Sequence, residues 1–585
     1  MKKPISDQLV RYLERRGVQH IFGMCGHTNI AVLTALSNSP VKFVSVRHEQ
    51  VAAHAADAYA RIRRRASVML THVGPGLTNA VTGIATAALD SVPIVILSGD
   101  VPRYFYGKNA FQEINLHADA SQTEIYRPFV KRAWRVDVPE LFPEILEKAF
   151  RLAESGRPGP VLISVPMDVF STEIDTSLFE GLPATPAAIH KAALDETIAE
   201  KMVRALMAAK RPVIYVGGGV IRAGAEEALR RFVDHLSLPV AHSQVAKGTL
   251  PDDHPMTLGL TGFWGTSYVN EKCRMADVIL ALGTRFTESD CSSWNPTFTF
   301  AIPPSRLMQI DIDLNEIGRN YPVELGAVAD LDSALDVLLR VAKLVVPSGV
   351  TNQALVAEIA TARARLQAEH ASHAASDAFP MRPERILAIV RELLPRDAFI
   401  TTDTGWSKNG VAQQFAVYEP GTVLTPGGFA TMGFGPPAAL GAKIACPERV
   451  VVSLAGDGAF GQNPATLATA VEQKAAVIWI VLNNHSFGTI AGLQRAHYGT
   501  TVGTLFEIDG HPYSPNYAAM AESYGVLGIK VASAGEFRAA LERALKFDGP
   551  AVIDVEMQDV PVPTAGHWDI NDIYSRAQRR RSEVE

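Results

Sequence analysis

The sequence predicts an α/β protein made of three consecutive Rossmann-like domains, each built on a parallel sheet. Apolar runs of strand length alternate with longer helical patterns in the first third of the chain, and the alternation returns from about Leu194 and again from about Met381. This alternation is typical of a parallel sheet with helices on both faces. The 585 residues also exceed what one hydrophobic core supports, and roughly 150–200 residues per domain gives about three domains.

Five segments follow from this alternation. We expect a first domain at 1–180, a central domain at 190–345, a linker at 346–380, a third domain at 381–560 and a C-terminal tail at 561–585. The strands expected in the three domains are residues 41–46, 67–71, 92–98 and 161–165, then 212–216, 278–282 and 307–312, then 398–402, 450–454, 477–482 and 551–555. Helices are expected at 50–61 and 78–89, and a helical pattern rich in alanine and charge runs through the linker.

Composition and charge argue against several classes of protein. Hydrophobic residues make up 47% of the chain and charged residues 20%, which is ordinary for a soluble globular protein. The net charge of −6, with no basic stripe, argues against a nucleic-acid partner. The N-terminal segment lacks the apolar region of a signal peptide, and no run approaches the ~18 apolar residues of a membrane span. Four sparse cysteines fit a reducing cytoplasm.

Two polar motifs follow predicted strands of the third domain. Gly456-Asp457-Gly458 comes after one strand and Asn483-Asn484 after the next. A lone Gly-Asp-Gly is typical of a simple turn, but both motifs lie at carboxyl ends of parallel strands, where open α/β sheets bind ligands. The carboxylate of Asp457 and the amide oxygen of Asn484 suit Mg²⁺, which usually shares its shell with phosphates. Gly458 would let the backbone approach such a phosphate closely.

Five further motifs occur in an order that one known family shares. They are Arg47-His48-Glu49-Gln50, Gly74-Pro75-Gly76 with Thr78-Asn79, Phe111-Gln112-Glu113, Gly156-Arg157-Pro158-Gly159-Pro160 and Thr431-Met432-Gly433-Phe434-Gly435. Over nearly its whole length the chain resembles the thiamine-diphosphate enzymes of the acetolactate synthase and pyruvate oxidase superfamily, as an acetolactate synthase-like large subunit with an atypical active site. The resemblance implies pyrimidine-binding, central and diphosphate-binding domains, thiamine diphosphate and Mg²⁺ as cofactors, and a homodimer or homotetramer with each active site between two chains.

The resemblance also implies roles for individual residues. Glu49 takes the position of the carboxylate that bonds to the aminopyrimidine ring, which lets the cofactor's own amino group accept the thiazolium proton. Met432 would lie under the bend of the cofactor, the Ala430 backbone would take its amino group, and the Ser486 carbonyl would be a third ligand to Mg²⁺. The other residues expected to contact the cofactor are Gly26, Gly74, Asn79, Gly405, Trp406, Gly458, Ala459, Ser486, Phe487 and Gly488.

Four positions depart from the acetolactate synthase pattern. His27 stands where the synthases have glycine, and His72 stands where they have a small residue. Met167 replaces their usual lysine, and Leu493 replaces the tryptophan with which biosynthetic synthases choose the second substrate. These changes weaken the case for branched-chain amino acid synthesis.

The two histidines and one glutamine complete the set of expected catalytic residues. His27 and His72 would face the thiazolium, where a neutral imidazole can act as acid or base near pH 7. His27 with Asn29 is similar to the loop of thiamine enzymes that cleave cyclic diketones with water, and Gln112 matches a family active-site glutamine. The alternative is structural: His27 caps its loop and His72 packs on a neighbouring helix.

The sequence leaves open whether the central domain binds FAD. Stretches that match the flavin-contacting segments of relatives are Gly217-Gly218-Gly219, residues 262–265, Arg285 and Asp311-Ile312-Asp313. A glycine-rich turn after a strand is a weak signal by itself. Thr287-Glu288-Ser289 also departs from the acidic and arginine run of the synthases, so FAD stays an open alternative with a structural role.

These observations favour an enzyme that decarboxylates or ligates a 2-oxo acid. The alternative is a thiamine-dependent lyase or hydrolase of an α-hydroxyketone or 1,2-diketone, which His27 and His72 favour because cleavage needs proton donors. An oxidase that uses FAD is a further alternative. A regulatory protein without activity is disfavoured, because Glu49, Asp457 and Asn484 are all intact.

Overall fold

The computed structural model describes residues 1–115, 121–183 and 191–582, with side chains up to residue 575. Three six-stranded sheets follow one another along the chain, and every strand pair within them is parallel. The predicted fold class, three consecutive α/β domains with parallel sheets, is therefore confirmed.

Each sheet has its long apolar strands in the middle and short strands at its edges. In spatial order the first sheet is Lys42–Ser45, His20–Gly23, Ser67–Thr71, Ile94–Asp100, Val161–Pro166 and Ala133–Arg135. The second is Thr257–Leu260, Val240–His242, Pro212–Val216, Val278–Leu282, Arg306–Asp311 and Leu325–Val328. The third is Val423–Leu424, Phe399–Thr402, Val451–Gly456, Val477–Asn483, Ala551–Glu556 and Leu527–Val531.

Helices cover the faces of these sheets, and two-stranded antiparallel ribbons add Lys2–Pro4 with Glu173–Asp175 and Glu507–Ile508 with His511–Pro512. The helices of the first domain are Ile5–Arg15, Ile30–Leu36, Glu49–Arg63, Pro75–Leu89, Phe142–Glu154, Met167–Ser171 and Ser177–Glu180. Those of the central domain are Glu196–Ala208, Gly219–Ala223, Glu226–Leu236, Ser267–Arg274 and Leu331–Val345. The remaining helices are Gln353–Ala374, Pro383–Leu393, Trp406–Gln414, Gly435–Ala445, Asp457–Phe460, Thr466–Glu472, Gly488–Tyr498, Tyr517–Ser523, Ala534–Lys546 and Asp569–Ser582.

All eleven strands expected from the sequence are present, with ends displaced by no more than two residues. Within the three six-stranded sheets seven strands were not predicted, and five of them are edge strands: Ala133–Arg135, Thr257–Leu260, Leu325–Val328, Val423–Leu424 and Leu527–Val531. Edge strands are short and half exposed, so they lack the continuous apolar run that marks a strand buried on both faces. The linker contains the 22-residue helix Gln353–Ala374, and the tail ends in helix Asp569–Ser582.

The first and third domains share one hydrophobic core. Helix Glu49–Arg63 packs against helix Gly435–Ala445, and a Cβ added at Gly441 would lie 2.0 Å from the Ala55 carbonyl oxygen. Only glycine therefore allows this close approach. The packing fixes the first residue of helix Glu49–Arg63 relative to the third domain of the same chain.

Two further features of the described structure bear on function. No helix in the described ranges is long and apolar enough to cross a membrane. All four cysteines are free thiols, of which Cys273 and Cys291 are buried.

Candidate active site

Glu49 lies at the start of the helix that joins the first and third domains. It is the first residue of helix Glu49–Arg63, after the cap residue His48, whose Nδ1 accepts a hydrogen bond of 3.2 Å from the Gln50 N–H. The carboxylate is only 1% exposed. Asn79, on helix Pro75–Leu89, donates from Nδ2 to Oε2 of Glu49 at 3.0 Å. In the described parts of the chain Glu49 has no cationic partner, so Asn79 orients a buried carboxylate without neutralising it.

His72, Thr28 and Gln112 form a chain of hydrogen bonds beside this carboxylate. His72 follows strand Ser67–Thr71, with its Nδ1 2.9 Å from Thr28 Oγ1 and its Nε2 2.6 Å from Gln112 Oε1. The ring centroids of His27 and His72 lie 4.7 Å apart. Partial burial, followed by the nearby His72, lowers the pKa of His27 and favours its neutral form. The structure thus brings the three expected side chains His27, His72 and Gln112 together.

Two glycines make room for this cluster. Gly74 has φ +61°, and a Cβ there would lie 2.3 Å from the Gln112 carbonyl oxygen. A Cβ at Gly26 would lie 2.3 Å from Cγ of His72. Any larger residue at either position would displace Gln112 or the His72 ring, so both glycines are required by the packing of the site.

Asp457 and Asn484 lie at the ends of neighbouring strands of the third sheet. Strands Val451–Gly456 and Val477–Asn483 are parallel, with Gly456 opposite Leu482. Asp457 is 1% exposed and accepts hydrogen bonds from Gly458 N–H at 2.8 Å and from Ser514 Oγ at 3.2 Å. Burial raises the pKa of Asp457 to about 6. A buried carboxylate with neutral donors around it is a suitable ligand for a cation.

Asp559, which was not predicted as a site residue, orients Asn484. Asn484 donates from Nδ2 to Ser486 Oγ at 2.9 Å and to Asp559 Oδ1 at 3.1 Å, and its amide oxygen, which has no donor among the described residues, is available to a cation. Asp559 in turn pairs with Arg495 at 3.1 Å. Asp559 follows strand Ala551–Glu556, which neighbours Val477–Asn483. Like Asp457, it therefore comes after the carboxyl end of a parallel strand, where open α/β sheets bind ligands.

A loop between residues 427 and 435 carries Ala430 and Met432. Asp403 accepts hydrogen bonds from the Gly433 and Gly435 N–H groups at 3.1 and 2.7 Å, and burial raises its pKa to about 6. Ala430 has φ +48°, a left-handed conformation that is uncommon for alanine, and its carbonyl accepts from Thr404 Oγ1 at 2.7 Å. Met432 is half buried.

The same loop is held from two further sides. Lys408 is buried and donates from Nζ to the Gly427 carbonyl at 2.9 Å. Asp90 of the first domain accepts from the Gly427 and Gly428 N–H groups at 2.8 and 3.2 Å. Burial opposes ionisation of Asp90, but the Arg61 guanidinium and the Gly427 N–H lower its pKa. Asp90, Asp403 and Lys408 were not predicted, because the groups of this loop that they contact are backbone groups, which leave no pattern in the sequence.

Glycine is required for different reasons at the positions expected to contact the diphosphate: Gly405 for its backbone conformation, and Gly458 and Gly488 for lack of space. Gly405 has φ +99° and precedes helix Trp406–Gln414, so its backbone conformation requires glycine. Trp406 is partly buried, and its Nε1 has no hydrogen-bond partner among the described residues. A Cβ at Gly458 would lie 2.6 Å from the Phe487 ring, and one at Gly488 would lie 2.4 Å from Asp559 Oδ1. Ala459 is buried within helix Asp457–Phe460.

The expected site residues therefore fall into two groups. The first-domain group contains Gly26, His27, Glu49, His72, Gly74, Asn79 and Gln112. The third-domain group contains Gly405, Trp406, Ala430, Met432, Asp457, Gly458, Ala459, Asn484, Ser486, Phe487 and Gly488. Within the described ranges no hydrogen bond, ion pair or ring contact joins one group to the other.

Comparison with known proteins identifies the family. Three family models for thiamine pyrophosphate enzymes match in order: the N-terminal TPP binding domain at 4–121, the central domain at 199–338 and the C-terminal TPP binding domain at 403–555. The chain belongs to the thiamine pyrophosphate enzymes. The two groups of site residues lie in or beside its two TPP binding domains.

The chain is similar to several proteins named as acetolactate synthases. The chain is 34% identical to a "Probable acetolactate synthase large subunit" of Methanocaldococcus jannaschii over 560 residues, covering 94% of this chain and 91% of the relative. It is 35% identical to the "Acetolactate synthase large subunit" of Parasynechococcus marenigrum, covering 94% and 87%. It is 33% identical to the "Acetolactate synthase isozyme 3 large subunit" of Escherichia coli, covering 92% and 92%.

Departures within this thiamine pyrophosphate enzyme lie at both groups. Met167 begins the short helix after strand Val161–Pro166, and its neighbour Asp168 pairs with Arg103 at 2.7 Å. Leu493 is half buried on helix Gly488–Tyr498, the helix that follows Ser486. His72 lies near Glu49, since a Cβ added at Gly76 would be 3.1 Å from Cβ of His72 and 3.3 Å from Oε1 of Glu49, and the His27 ring lies against His72.

A cavity of about 820 Å³ lies where the three domains meet. Its walls include the Gly217-Gly218-Gly219 turn, Arg222, Arg285, Asp311 and Ile312. Burial lowers the pKa of Arg222 to about 10 and also lowers the pKa of Arg285. Residues 262–265 are not part of this wall, and a Cβ at Gly262 would instead lie 2.0 Å from the Ser289 carbonyl oxygen. One expected flavin-contacting stretch thus packs elsewhere.

Proposed function

We propose that the protein is a thiamine-diphosphate- and Mg²⁺-dependent enzyme that decarboxylates a 2-oxo acid and joins the remaining fragment to a second carbonyl compound. The observation that carries this proposal is the buried Glu49 carboxylate, oriented by Asn79 without a cationic partner among the described residues. The names of the relatives, all acetolactate synthases, support the same reaction class.

The residues present suit both cofactors. Asp457, Asn484 and the Ser486 carbonyl would hold Mg²⁺ through oxygen atoms, the ligands that this ion prefers. The loop with Ala430 and Met432 would support the aminopyrimidine, and Gly405, Trp406, Gly458, Ala459, Phe487 and Gly488 would surround the diphosphate. Bound thiamine diphosphate supplies a carbon nucleophile at its thiazolium ring.

Within this enzyme Glu49 would hold and share a proton at its carboxylate. Asn79 occupies Oε2, so Oε1, which faces Gly76, remains for the pyrimidine ring nitrogen. Burial strengthens this hydrogen bond because little water competes for it. His27, whose pKa is lowered by partial burial and by the nearby His72, would move protons at the substrate oxygen.

Pyruvate turnover tests the proposed reaction. Purified protein with thiamine diphosphate and Mg²⁺ is given pyruvate, and carbon dioxide and products are measured. Carbon dioxide with acetolactate or acetoin is the expected result. Absence of turnover from protein that binds the cofactor would contradict decarboxylation and carboligation.

A second candidate is a lyase or hydrolase of an α-hydroxyketone or 1,2-diketone. His27, whose partly exposed ring lies against His72, favours it, because cleavage by water needs a proton donor near the bond that breaks. Assays with an α-hydroxyketone and a cyclic 1,2-diketone, without carbon dioxide release, distinguish this candidate from the first.

We further propose a homodimer or homotetramer with each active site between two chains. The absence of direct contact between the two groups of site residues in the described chain supports this arrangement. Co-expression of Glu49→Gln and Asp457→Asn chains tests it, because a mixed dimer then has one intact interface site. Activity of about a quarter of wild type is expected for random pairing. If each site were built within one chain, every site would carry a substitution and no activity would return.

The three-domain cavity is our proposed site for FAD in a structural role. Its volume and its arginines suit a dinucleotide, since the planar guanidinium group matches the geometry of a phosphate. The absorbance spectrum of the purified protein, before and after addition of FAD, tests the proposal. Bound flavin that bleaches when substrate is added would instead support an oxidase.

A further inference from the structure

The imidazole of His72 has hydrogen-bond partners on both of its ring nitrogens. Thr28 Oγ1 lies 2.9 Å from Nδ1, and Gln112 Oε1 lies 2.6 Å from Nε2. Thr28 is 1% exposed and His72 is 8% exposed, so water does not compete for the contact between them, whereas Gln112 is half buried. His27 differs, because its ring is only partly buried and it lies against His72 and Phe111 through ring contacts.

The partners define which nitrogen of His72 carries the proton. A glutamine side-chain oxygen can only accept, so Nε2 of His72 donates to Gln112. The Thr28 oxygen already accepts from the Val73 N–H at 3.2 Å, so its hydroxyl proton is donated to Nδ1 of His72. The reversed chain would make Thr28 accept two N–H groups and leave its hydroxyl proton without this acceptor. Each group therefore donates to the next: the Val73 N–H to Thr28, the Thr28 hydroxyl to His72, and Nε2 of His72 to Gln112.

Gln112 is fixed through its backbone as well as its side chain. It has φ +65°, an uncommon conformation for glutamine, and its carbonyl packs against Gly74. Glu113 closes the same loop by accepting from the Gly107 and Ala110 N–H groups at 2.7 and 3.0 Å. With Oε1 held by His72, the Gln112 NH₂ group has no acceptor among the described residues.

We propose that His72 is a positioning residue, which orients the Gln112 side chain so that its NH₂ group binds a carbonyl or carboxylate oxygen of the substrate. Both ring nitrogens of His72 are used, so the ring has no site left for proton exchange with a substrate. His27 is then the one imidazole of the pair that is free to exchange protons. This inference rests on the proposed thiamine-dependent function for its kinetic consequences, but the direction of the hydrogen bonds does not depend on it.

Two substitutions at His72 separate positioning from acid–base catalysis. The amide nitrogen of His72→Gln reaches about as far as Nε2 and can still donate to Gln112, whereas the shorter His72→Asn cannot. If His72 positions Gln112, the kcat/KM of His72→Gln exceeds that of His72→Asn by about tenfold, the effect of one hydrogen bond of about 1.4 kcal/mol. The difference lies mainly in KM, and Gln112→Leu matches His72→Asn. Equal losses of about 10²-fold or more in kcat for both His72 variants would overturn the proposal in favour of acid–base catalysis.

A second measurement needs no substrate. Nitrogen NMR of histidine-labelled protein, assigned with His72→Gln, shows which ring nitrogen of His72 carries the proton. We expect a proton on Nε2, and a changed Nδ1 resonance in Thr28→Val. A proton on Nδ1 of His72 would overturn the proposal. If the wild-type protein turned over neither substrate class, the proposed function would be wrong. The NMR measurement would then still decide whether His72 donates to Gln112.

Discussion

The carboxylate of Asp90 accepts a hydrogen bond of 2.8 Å from the backbone N–H of Gly427, and thereby ties the first domain to a loop of the third. The loop continues to Ala430 and Met432, the residues proposed to support the aminopyrimidine. Asp90 itself pairs with Arg61 at 2.9 Å, on the helix that begins with Glu49. The orientation of both parts of the proposed site thus depends on one buried network.

Substitution of Gly427 by alanine is expected to disturb this network. The added Cβ would lie 2.0 Å from Asp90 Oδ1, so the carboxylate or the loop must move. We expect a loss of about 1–3 kcal/mol in the free energy of unfolding and weaker binding of thiamine diphosphate. Thermal unfolding and a fluorescence titration with the cofactor measure the two effects.

The neighbouring glycine provides the control. A Cβ at Gly428 would make only an ordinary contact with Leu89 at 3.8 Å, so Gly428→Ala is expected to leave stability close to wild type. If both variants behaved alike, contact with Asp90 would not be what fixes the loop.

Removal of the Asp559 carboxylate is expected to weaken Mg²⁺ binding. In Asp559→Ala the Asn484 amide loses the acceptor that turns its oxygen toward the cation site. Loss of such an outer partner typically costs 10–100-fold in metal affinity, so a rise of about tenfold in the apparent Kd for Mg²⁺ is expected. The Mg²⁺ dependence of cofactor binding measures it.

Arg495→Gln is the matched control for Asp559. It removes the ion pair with Asp559 but leaves the hydrogen bond to Asn484. We expect a smaller change in Mg²⁺ affinity than in Asp559→Ala. An unchanged affinity in Asp559→Ala would show that Asp559 does not orient Asn484.

His54 is expected to make the protein less stable in acid. It is fully buried against Phe434, neither of its ring nitrogens has a hydrogen-bond partner in the described chain, and burial lowers its pKa to about 3 from 6.5. Between these values the unfolded chain binds the proton and the folded chain does not. The contribution to stability is therefore complete above pH 6.5 and is lost as the pH falls toward 3.

Comparison of His54→Leu with wild type at two pH values tests this dependence. At pH 5 the wild type should have lost about 2 kcal/mol of stability through His54, a loss that the leucine variant avoids. Thermal midpoints at pH 5 and pH 8 measure the difference, with the exposed His511→Asn as control. An equal change of the thermal midpoint with pH in wild type and His54→Leu would show that His54 does not cause the loss of stability in acid.

The sequence predicts the interior of each sheet well because buried strands have a strong local signal. Val278–Leu282 and Pro212–Val216 are continuous apolar runs, and the structure has both strands with the predicted first and last residues. Strand His20–Gly23 lies inside the first sheet but was not predicted, since its four residues include histidine and glycine. Strand Val423–Leu424 has two residues, too few for any periodicity.

In the candidate site, too, features with a local sequence signal could be predicted and features that depend on distant contacts could not. Asp457 and Asn484 follow strands directly, so their proximity could be predicted from strand order. The Asp90 contact with Gly427 crosses 337 positions and involves backbone groups, which leave no pattern in the sequence. His72 was predicted as an acid–base residue. Its contacts with Thr28 and Gln112 depend on tertiary packing, and they support a different role for it.

The exchange of the thiazolium C2 proton of bound thiamine diphosphate with deuterium is the most direct test of the proposed role of Glu49. It needs no substrate and depends on the Glu49 carboxylate alone among the proposed catalytic groups. In Glu49→Gln we expect cofactor affinity within a few-fold of wild type and an exchange rate lower by about 10²–10⁴-fold. Exchange at the wild-type rate in a variant that binds the cofactor would contradict the role of Glu49 on which the proposed function rests.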